Sequence, residues 1–300
     1  MKLLYSNLKL FVLFLCISSF MWSQNKATYT YAIKGSDSLK MDIYTPKNIK
    51  TNDSLPVVLW MHGGGFSSGK KDNPDEVKMM KYLTKNGYIG ISISYRLLLK
   101  NFETGFGCDC PKTFKLDIFR QAAIDYLDAA KYVVDNKDKF QIDPTRIIAG
   151  GSSAGAEGVL NAVYLKLFFV DDVSKYNDVN FAGVISLAGA VVDADYITIE
   201  NAVPTVMFHG TEDNLVPVGK APHHYCATNS LGYLILDGSE IIANKLNDLG
   251  ASYYFYKVVG GKHELSQIPF NQLDNILEFF NQTIQHKETI QTKRIIIKKP

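Results

Sequence analysis

Three polar residues in the second half of the chain have the types and the order of a hydrolytic triad. Ser153 lies in "GSSAG", Asp213 in "HGTEDNLVP" and His263 in "GGKHEL". A serine hydroxyl is a weak nucleophile until a base takes its proton, and a histidine base needs an acid to fix its tautomer. The sequence therefore predicts nucleophilic catalysis by Ser153, with His263 as the base and Asp213 as the acid.

Small residues surround the candidate nucleophile. In "RIIAGGSSAGAEG" an apolar run ends at Ala149, and Gly151 and Gly155 flank the serine at the spacing G-x-S-x-G before a helix-like stretch begins. A strand-to-helix turn this sharp leaves no room for larger side chains beside the nucleophile. The pattern predicts that Ser153 projects from such a turn, and that the backbone N–H of Ala154 faces the same side.

A glycine run after another apolar segment indicates where the negative charge that forms during the reaction would be stabilised. "HGGGF", residues 62–66, directly follows the apolar run 56–61. Glycine costs about 0.5–1 kcal/mol relative to alanine in regular structure, so a run of glycines indicates a backbone that must approach something closely. Attack on a carbonyl builds negative charge on its oxygen, which fixed N–H donors must stabilise. We expect Gly63 and Gly64 to form this oxyanion hole together with Ala154.

The elements that must position these residues follow from the apolar pattern of the chain. Near-continuous apolar runs are typical of strands buried on both faces of a mostly parallel sheet, and the amphipathic stretches between them predict crossover helices on both faces. "TYTYAIKG" and "LKMDIYTP" predict an antiparallel hairpin at one edge. The buried runs are "PVVLWMHG", "YIGISISY", "RIIAGG", "FAGVISLAG", "VPTVMFHG" and "ASYYFYKVVG". The predicted helices cover 75–85, 116–136, 240–249 and 269–283.

Composition and charge narrow the class of protein. Of the 300 residues 46% are hydrophobic and 21% are charged, which is typical of a globular chain and argues against disorder and coiled coil. Five basic residues lie in the last fourteen positions, and residues 24–286 carry a net charge of −4, so no nucleic-acid-binding surface is expected on the folded body. We predict a single α/β catalytic domain over residues 24–286 and a basic, frayed tail over 287–300.

The first 23 residues have the pattern of a signal peptide. Lys2 and Lys9 precede an apolar stretch that ends near residue 20, and the segment contains no acidic residue. The stretch is short for a membrane span of about 20 residues. We predict cleavage near Ser23, a secreted or periplasmic protein, and no stable membrane insertion.

Export implies an oxidising compartment, in which the remaining cysteines can pair. Residues 24–300 contain Cys108, Cys110 and Cys226. At most one disulfide can form among three cysteines, and one thiol is left over. Closing "CDC" on itself would make a small strained ring, which favours Cys226 with either Cys108 or Cys110. No metal site is expected, because the spacing does not supply four ligands.

Taken together, these motifs resemble the α/β-hydrolases of the HGGG-type carboxylesterase and lipase group, either hormone-sensitive-lipase-like or feruloyl/acetyl-xylan-esterase-like. The resemblance covers residues 28–285 through "LKMDIYTP", "HGGGF", "ISISYR", "GSSAG", "HGTEDNLVP" and "GGKH". It departs from the pattern at Ser152, where hormone-sensitive-lipase-like enzymes usually carry aspartate. Residues 97–115 replace a usually short loop, and no long N-terminal cap is present.

Several residues near these motifs have alternative roles. Glu212 could replace Asp213 as the acid, although the resemblance to the family places the acid on Asp213. We expect His62 to shape the oxyanion loop and His209 to brace the acid loop, since His263 already fills the base position. His223 and His224 either line the pocket or face water.

Four further residues are expected to support the structure. Glu157 follows the nucleophile by one helical turn, where the helix dipole stabilises a carboxylate. Tyr95 and Arg96 are expected to be structural, and Trp60 to lie in the core.

The leading functional prediction is a serine carboxylesterase that hydrolyses short-chain or carbohydrate-linked esters through an acyl-enzyme, without a cofactor. The expected partner is a small-molecule or polysaccharide-linked ester. One alternative is a peptidase or amidase on the same fold, although the large cap that such peptidases usually carry is missing. Another is a non-catalytic binding protein, against which the complete triad argues.

Overall fold

The computed structural model describes residues 25–50 and 52–298. The predicted signal peptide, residues 1–23, lies outside the described residues and stays a prediction. The strands are β1 (Asn25–Lys34), β2 (Asp37–Thr45), β3 (Leu55–Met61), β4 (Ile89–Ile93), β5 (Ile142–Ser152), β6 (Gly183–Leu187), β7 (Ala190–Val191), β8 (Thr205–Gly210), β9 (Lys220–Pro222), β10 (Ile235–Gly238), β11 (Tyr253–Val259) and β12 (Gln291–Ile297). The α-helices are α1 (Pro74–Lys85), α2 (Lys112–Asp135), α3 (Lys137–Phe140), α4 (Ala154–Tyr164), α5 (Lys166–Phe169), α6 (Ser239–Asp248) and α7 (Leu273–Phe280).

Nine of these strands form one twisted sheet in the order β1-β2-β4-β3-β5-β6-β8-β11-β12. The pairs β1·β2 and β2·β4 are antiparallel, and every other pair in this sheet is parallel. This confirms the predicted α/β-hydrolase architecture, with a mostly parallel sheet and an antiparallel N-terminal hairpin. A small antiparallel sheet, β7-β10-β9, was not predicted, because each of its strands has only two to four residues.

The hydrophobic core lies in two layers, one on each face of the sheet. Along β3, Val57, Leu59 and Met61 join the layer that contains α2, α4 and α6, whereas Val58 and Trp60 join the layer that contains α1 and α7. All five side chains are fully buried. A strand covered on both faces has no polar positions to alternate with apolar ones, which explains the continuous apolar run in the sequence.

The C-terminal segment corrects one prediction. The frayed terminus is wrong for Gln291–Ile297, which forms β12 and pairs in parallel with β11. Lys293 Nζ lies 2.6 Å from a carboxylate oxygen of Glu240, and Lys298 pairs with Glu264. Backbone pairing and the acidic surface of the domain therefore hold a segment whose composition alone suggested a loose end. The predicted boundaries of the catalytic domain stay a prediction.

The structure also gives the cysteine pairing. Cys108 and Cys226 form a disulfide with a Cα–Cα distance of 5.3 Å, and Cys110 is a buried free thiol. The sequence favoured Cys226 as one partner and left the other open.

The described residues contain no helix that is long and apolar enough to cross a membrane.

Candidate active site

The nucleophile turn joins the middle of the sheet to a helix. Strand β5 ends at Ser152, helix α4 begins at Ala154, and Ser153 between them has φ 52° and ψ −124°. A side chain at Gly155 would place its Cβ 2.2 Å from the carbonyl oxygen of Met61. Such a clash explains the glycine, and the left-handed φ of a serine is a strained conformation of the kind that clusters at functional sites.

Three side chains from three different loops form a continuous hydrogen-bonded relay. Ser153 Oγ lies 2.8 Å from His263 Nε2, and His263 Nδ1 lies 2.8 Å from Asp213 Oδ2. The serine follows β5, the aspartate follows β8 and the histidine follows β11, so all lie at the carboxyl ends of parallel strands. The structure brings the predicted nucleophile, base and acid together.

The acid position is well defined by its surroundings. Asp213 Oδ1 accepts hydrogen bonds from the backbone N–H groups of Leu215 and Val216, at 2.9 and 3.0 Å. Burial opposes ionisation of Asp213, but its contacts with His209 and His263 outweigh burial and hold the pKa of the carboxyl well below its usual range. Glu212 is exposed, so the structure puts Asp213 rather than Glu212 beside the base.

His209 braces the acid loop, as predicted. Its ring bonds Ser239 Oγ at 2.8 Å and the carbonyl oxygen of Val216 at 3.0 Å, and it is fully buried. One ring nitrogen also lies 3.4 Å from Asp213 Oδ2. The imidazole therefore connects the acid loop to the start of α6.

The glycine loop runs against the nucleophile turn. A Cβ at Gly63 would lie 3.0 Å from the backbone oxygen of Ser152 and 3.3 Å from Ser153 Cβ, so a side chain there would crowd the nucleophile turn. Within the described residues, the N–H groups of Gly63 and Gly64 donate to no protein acceptor. Ala154 is the first residue of α4, so its N–H has no partner within the helix. These are the three positions predicted for the oxyanion hole.

His62 holds this loop in place. Its Nδ1 lies 2.7 Å from the carbonyl oxygen of Gly63, and its ring packs against Tyr95 at 4.6 Å between centroids. The Tyr95 hydroxyl donates to the backbone oxygen of His62 at 2.9 Å. Arg96 pairs with buried Asp125 at 2.6 Å. These contacts support the structural roles predicted for Tyr95 and Arg96.

The relay opens into a cavity of about 420 Å³. Part of its wall comes from the segment 97–115, whose Phe106 packs against the ring of His223 at 4.8 Å between centroids. The disulfide between Cys108 and Cys226 ties this segment to the one that carries His223 and His224. Both histidines line the cavity, which resolves the choice between pocket and solvent.

Glu157 corrects a second prediction. The sequence suggested a carboxylate stabilised by the helix dipole, but Glu157 is 1% exposed and lines the cavity. Burial, reinforced by the nearby charge of Asp213, raises the pKa of its carboxyl well above the usual range. Its surroundings therefore favour the neutral carboxylic acid over the carboxylate.

Sequence reasoning missed Phe106, left His223 open between the pocket and solvent, and gave Glu157 a structural role only. For Phe106 the composition carries no signal.

The described residues contain no cluster of three or more His, Cys, Asp or Glu that could hold a metal ion.

Comparison with known proteins agrees with this geometry. Residues 41–194 match the family model BD-FAE, a range that includes the glycine loop and the nucleophile turn. The chain is 34% identical over 125 residues to gut esterase 1 of Caenorhabditis briggsae, covering 42% of this chain and 21% of that protein. It is 29% identical over 170 residues to secreted lipase 5 of Gibberella zeae, covering 55% of this chain and 31% of the lipase. The chain thus spans less than a third of the length of these two relatives.

One solved structure with the same fold is a propionate-bound esterase from Thermogutta terrifontis. The TM-score is 0.61 at 17% sequence identity, and the match covers 89% of this chain and 96% of the other. At this identity the likeness shows a shared fold.

Proposed function

This chain belongs to the BD-FAE family of α/β-hydrolases, and from that premise we propose that it is a serine carboxylesterase acting on short-chain or carbohydrate-linked carboxylic esters. The observation that carries the proposal is the relay itself, in which two hydrogen bonds of 2.8 Å link Ser153, His263 and Asp213. The esterase and lipase names of the relatives support the same reaction class.

In the first half of the reaction, Ser153 Oγ attacks the ester carbonyl carbon while His263 Nε2 takes the hydroxyl proton. Asp213 stays ionised and stabilises the imidazolium, because its hydrogen bonds favour the charged carboxylate. The N–H groups of Gly63, Gly64 and Ala154 stabilise the oxyanion. The ester C–O bond then breaks, and the leaving alcohol takes the proton from His263.

In the second half, a water molecule attacks the carbonyl carbon of the acyl-enzyme. His263 takes a proton from this water and returns it to Ser153 Oγ as the acyl C–O bond breaks. The products are the carboxylic acid and the free serine, so no cofactor is needed for the balance of atoms and electrons.

The cavity supports a small or narrow substrate group. Its volume of about 420 Å³ is at the lower end of the range of ligand pockets, roughly 300–1,000 Å³. A structural neighbour with the same fold is described with bound propionate, which is a short acyl group. Carbohydrate-linked esters remain accessible if the sugar part lies outside the cavity.

Secretion is part of the proposal. The disulfide between Cys108 and Cys226 is typical of an oxidising compartment, and one relative is named a secreted lipase.

The test is the initial hydrolysis rate of the protein and its Ser153→Ala variant. The panel contains p-nitrophenyl esters from acetate to long acyl chains, methyl ferulate and acetylated xylan. We expect turnover of short esters, and a loss in the variant on the order of 10⁴-fold or more. Ser174→Ala, an exposed serine away from the cavity, is the matched control and should retain the full rate.

A rate that survives Ser153→Ala would overturn the assignment of the nucleophile. If no ester is turned over, a fluorophosphonate probe separates the two alternatives. Labelling of Ser153 would indicate an amide substrate on the same machinery. No labelling of the folded protein would indicate a non-catalytic binding scaffold.

A further inference from the structure

Two buried polar side chains beside the nucleophile have atoms that the protein leaves unpaired. Glu157 Oε1 and both ring nitrogens of His223 have no hydrogen-bond partner within the described residues. Each residue is 1% exposed, and both line the same cavity as Ser153. Glu157 Oε1 lies 3.4 Å from His223 Nε2, so the two groups are neighbours.

Unpaired buried polar atoms destabilise a folded protein, so most of them find a partner. Packing alone does not require polar atoms at these positions. The ring of His223 contacts Phe106 and Phe119, with centroid distances of 4.8 and 6.2 Å, and an apolar ring would satisfy both contacts. The polar atoms therefore call for a partner that is not part of the chain.

The backbone holds His223 firmly at this position. The next two residues, His224 and Tyr225, have positive φ values of 57° and 51°, and the following residue is Cys226 of the disulfide. The N–H of His223 also donates to the carbonyl oxygen of Leu234 at 2.8 Å. Strained backbone of this kind persists only where the surrounding structure fixes it.

The charge state of the two groups narrows the class of ligand. Burial raises the pKa of Glu157, and burial together with His224 lowers the pKa of His223, so the surroundings favour the neutral form of both groups. A carboxylic acid both donates and accepts, and a neutral imidazole carries one donor and one acceptor. A hydroxyl group matches this arrangement, since it also donates and accepts. An ionised group would find no opposite charge on either side chain.

The position relative to the nucleophile limits where that hydroxyl can be. Glu157 follows Ser153 by four residues at the start of α4, which is about 6 Å along a helix axis. The N–H of Glu157 donates to the carbonyl oxygen of Ser153 at 3.0 Å, so the two residues lie one turn apart. A hydroxyl a few bonds from the reacting carbonyl would reach this pair.

Building on the proposed esterase function, we infer that Glu157 and His223 form a hydroxyl-binding subsite that selects neutral esters carrying a hydroxyl near the scissile bond. The hydroxyl belongs to the acyl part or to the alcohol part of the ester, and the two cases need separate substrates.

The experiment compares matched esters that differ by one hydroxyl. Methyl 3-hydroxybutyrate against methyl butyrate tests the acyl part, and 2-hydroxyethyl acetate against propyl acetate tests the alcohol part. We expect the wild-type protein to prefer the hydroxylated member of one pair by about tenfold or more in kcat/KM, the size of one buried hydrogen bond.

Substitutions then assign this preference to the two residues. Glu157→Leu and His223→Phe should lower the ratio to near one, because kcat/KM falls further for the hydroxylated ester than for the ester without the hydroxyl. Glu157→Gln should keep the preference, because its amide also donates and accepts. Circular dichroism of each variant verifies that the fold is retained.

Three results would overturn the inference. The first is equal kcat/KM of the wild-type protein for both members of both pairs, which needs no variant at all. The second is a parallel fall for hydroxylated and plain esters in Glu157→Leu, which would indicate a purely structural role. The third is an unchanged ratio in both variants. Absence of wild-type turnover on every ester would instead contradict the proposed function.

Discussion

Two acid and histidine pairs lie near Ser153, and their surroundings act on the two carboxyl groups in opposite ways. In one, Asp213 and His263 are joined by a hydrogen bond of 2.8 Å, and two backbone N–H groups satisfy the other carboxylate oxygen. In the other, Glu157 and His223 are 3.4 Å apart, and the polar atoms that face each other are unpaired. These surroundings therefore favour the charged form of the first carboxyl and the neutral form of the second.

The difference shows that burial alone does not decide the charge of a carboxyl group here, because the contacts of Asp213 with His209 and His263 outweigh it. Asp213 and Glu157 are both 1% exposed, yet the pKa of Asp213 is lowered and that of Glu157 is raised. Pairs of acids with pKa values pushed apart by their surroundings commonly have separate roles in one site. We assign the proton relay to the aspartate pair and substrate recognition to the glutamate pair.

The largest effect is expected from a substitution that breaks the pair formed by Asp213 and His263. Asp213→Asn keeps the shape of the acid but favours the wrong tautomer of His263, so kcat should fall by about 10⁴-fold. The measurement is the steady-state rate on p-nitrophenyl acetate. Glu212→Gln, an exposed neighbour, is the control and should change kcat by less than twofold. Equal losses in both variants would contradict the distinction between the two acids.

The next largest effect concerns the backbone N–H groups of the proposed oxyanion hole, which lie beside Ser153. Gly64 has φ +122°, and a Cβ there would lie 2.2 Å from the carbonyl oxygen of Ser68. Gly64→Ala should displace the loop and lower kcat by about 10²–10³-fold, the loss typical of one oxyanion donor. Kinetics with p-nitrophenyl acetate and a thermal melt provide the measurement.

A second glycine with positive φ, Gly87, provides the control for this prediction. Its substitution by alanine adds backbone strain without displacing the oxyanion loop. Gly87 has φ +81°, and a Cβ there would meet nothing within 4 Å. Gly87→Ala should cost about 1–2 kcal/mol of stability and leave kcat unchanged. If both alanine variants lost activity equally, general destabilisation rather than the oxyanion loop would be the cause.

The smallest expected effect is on the free energy of unfolding, whose dependence on pH reflects the raised pKa of Glu157. The folded-state pKa of Glu157 is raised, so the folded protein binds a proton that the unfolded chain releases above its usual carboxyl pKa. Stability from this group is therefore complete in acid and is lost as pH rises towards the folded pKa, at up to about 1.4 kcal/mol per pH unit.

Glu157→Gln removes this dependence, because the amide does not titrate. Relative to the wild-type protein, the variant should gain stability between about pH 5 and pH 7, measured by urea unfolding at each pH. Asp213 is retained in both proteins, so its opposite contribution cancels. A constant difference across this range would show that Glu157 is ionised in the folded protein.

The sequence determined the parts of this protein that depend on local pattern. The nucleophile turn around Ser153, the glycine loop at Gly63 and the order of acid and base are encoded in short segments, and the structure brings these residues together. The apolar runs and the amphipathic stretches between them likewise predicted the sheet, the hairpin and the helices α1, α2, α6 and α7. Strand-to-helix turns and buried strands each leave a signature within about ten neighbouring residues.

Only the tertiary structure decided the features that depend on distant residues. Cys108 and Cys226 are separated by 118 positions, so no local pattern could choose between Cys108 and Cys110. The burial that raises the pKa of Glu157 and the pocket position of His223 follow from the packing of the folded chain. Charge state and strand pairing at an edge depend on which groups surround a residue, and this is known only once the chain has folded.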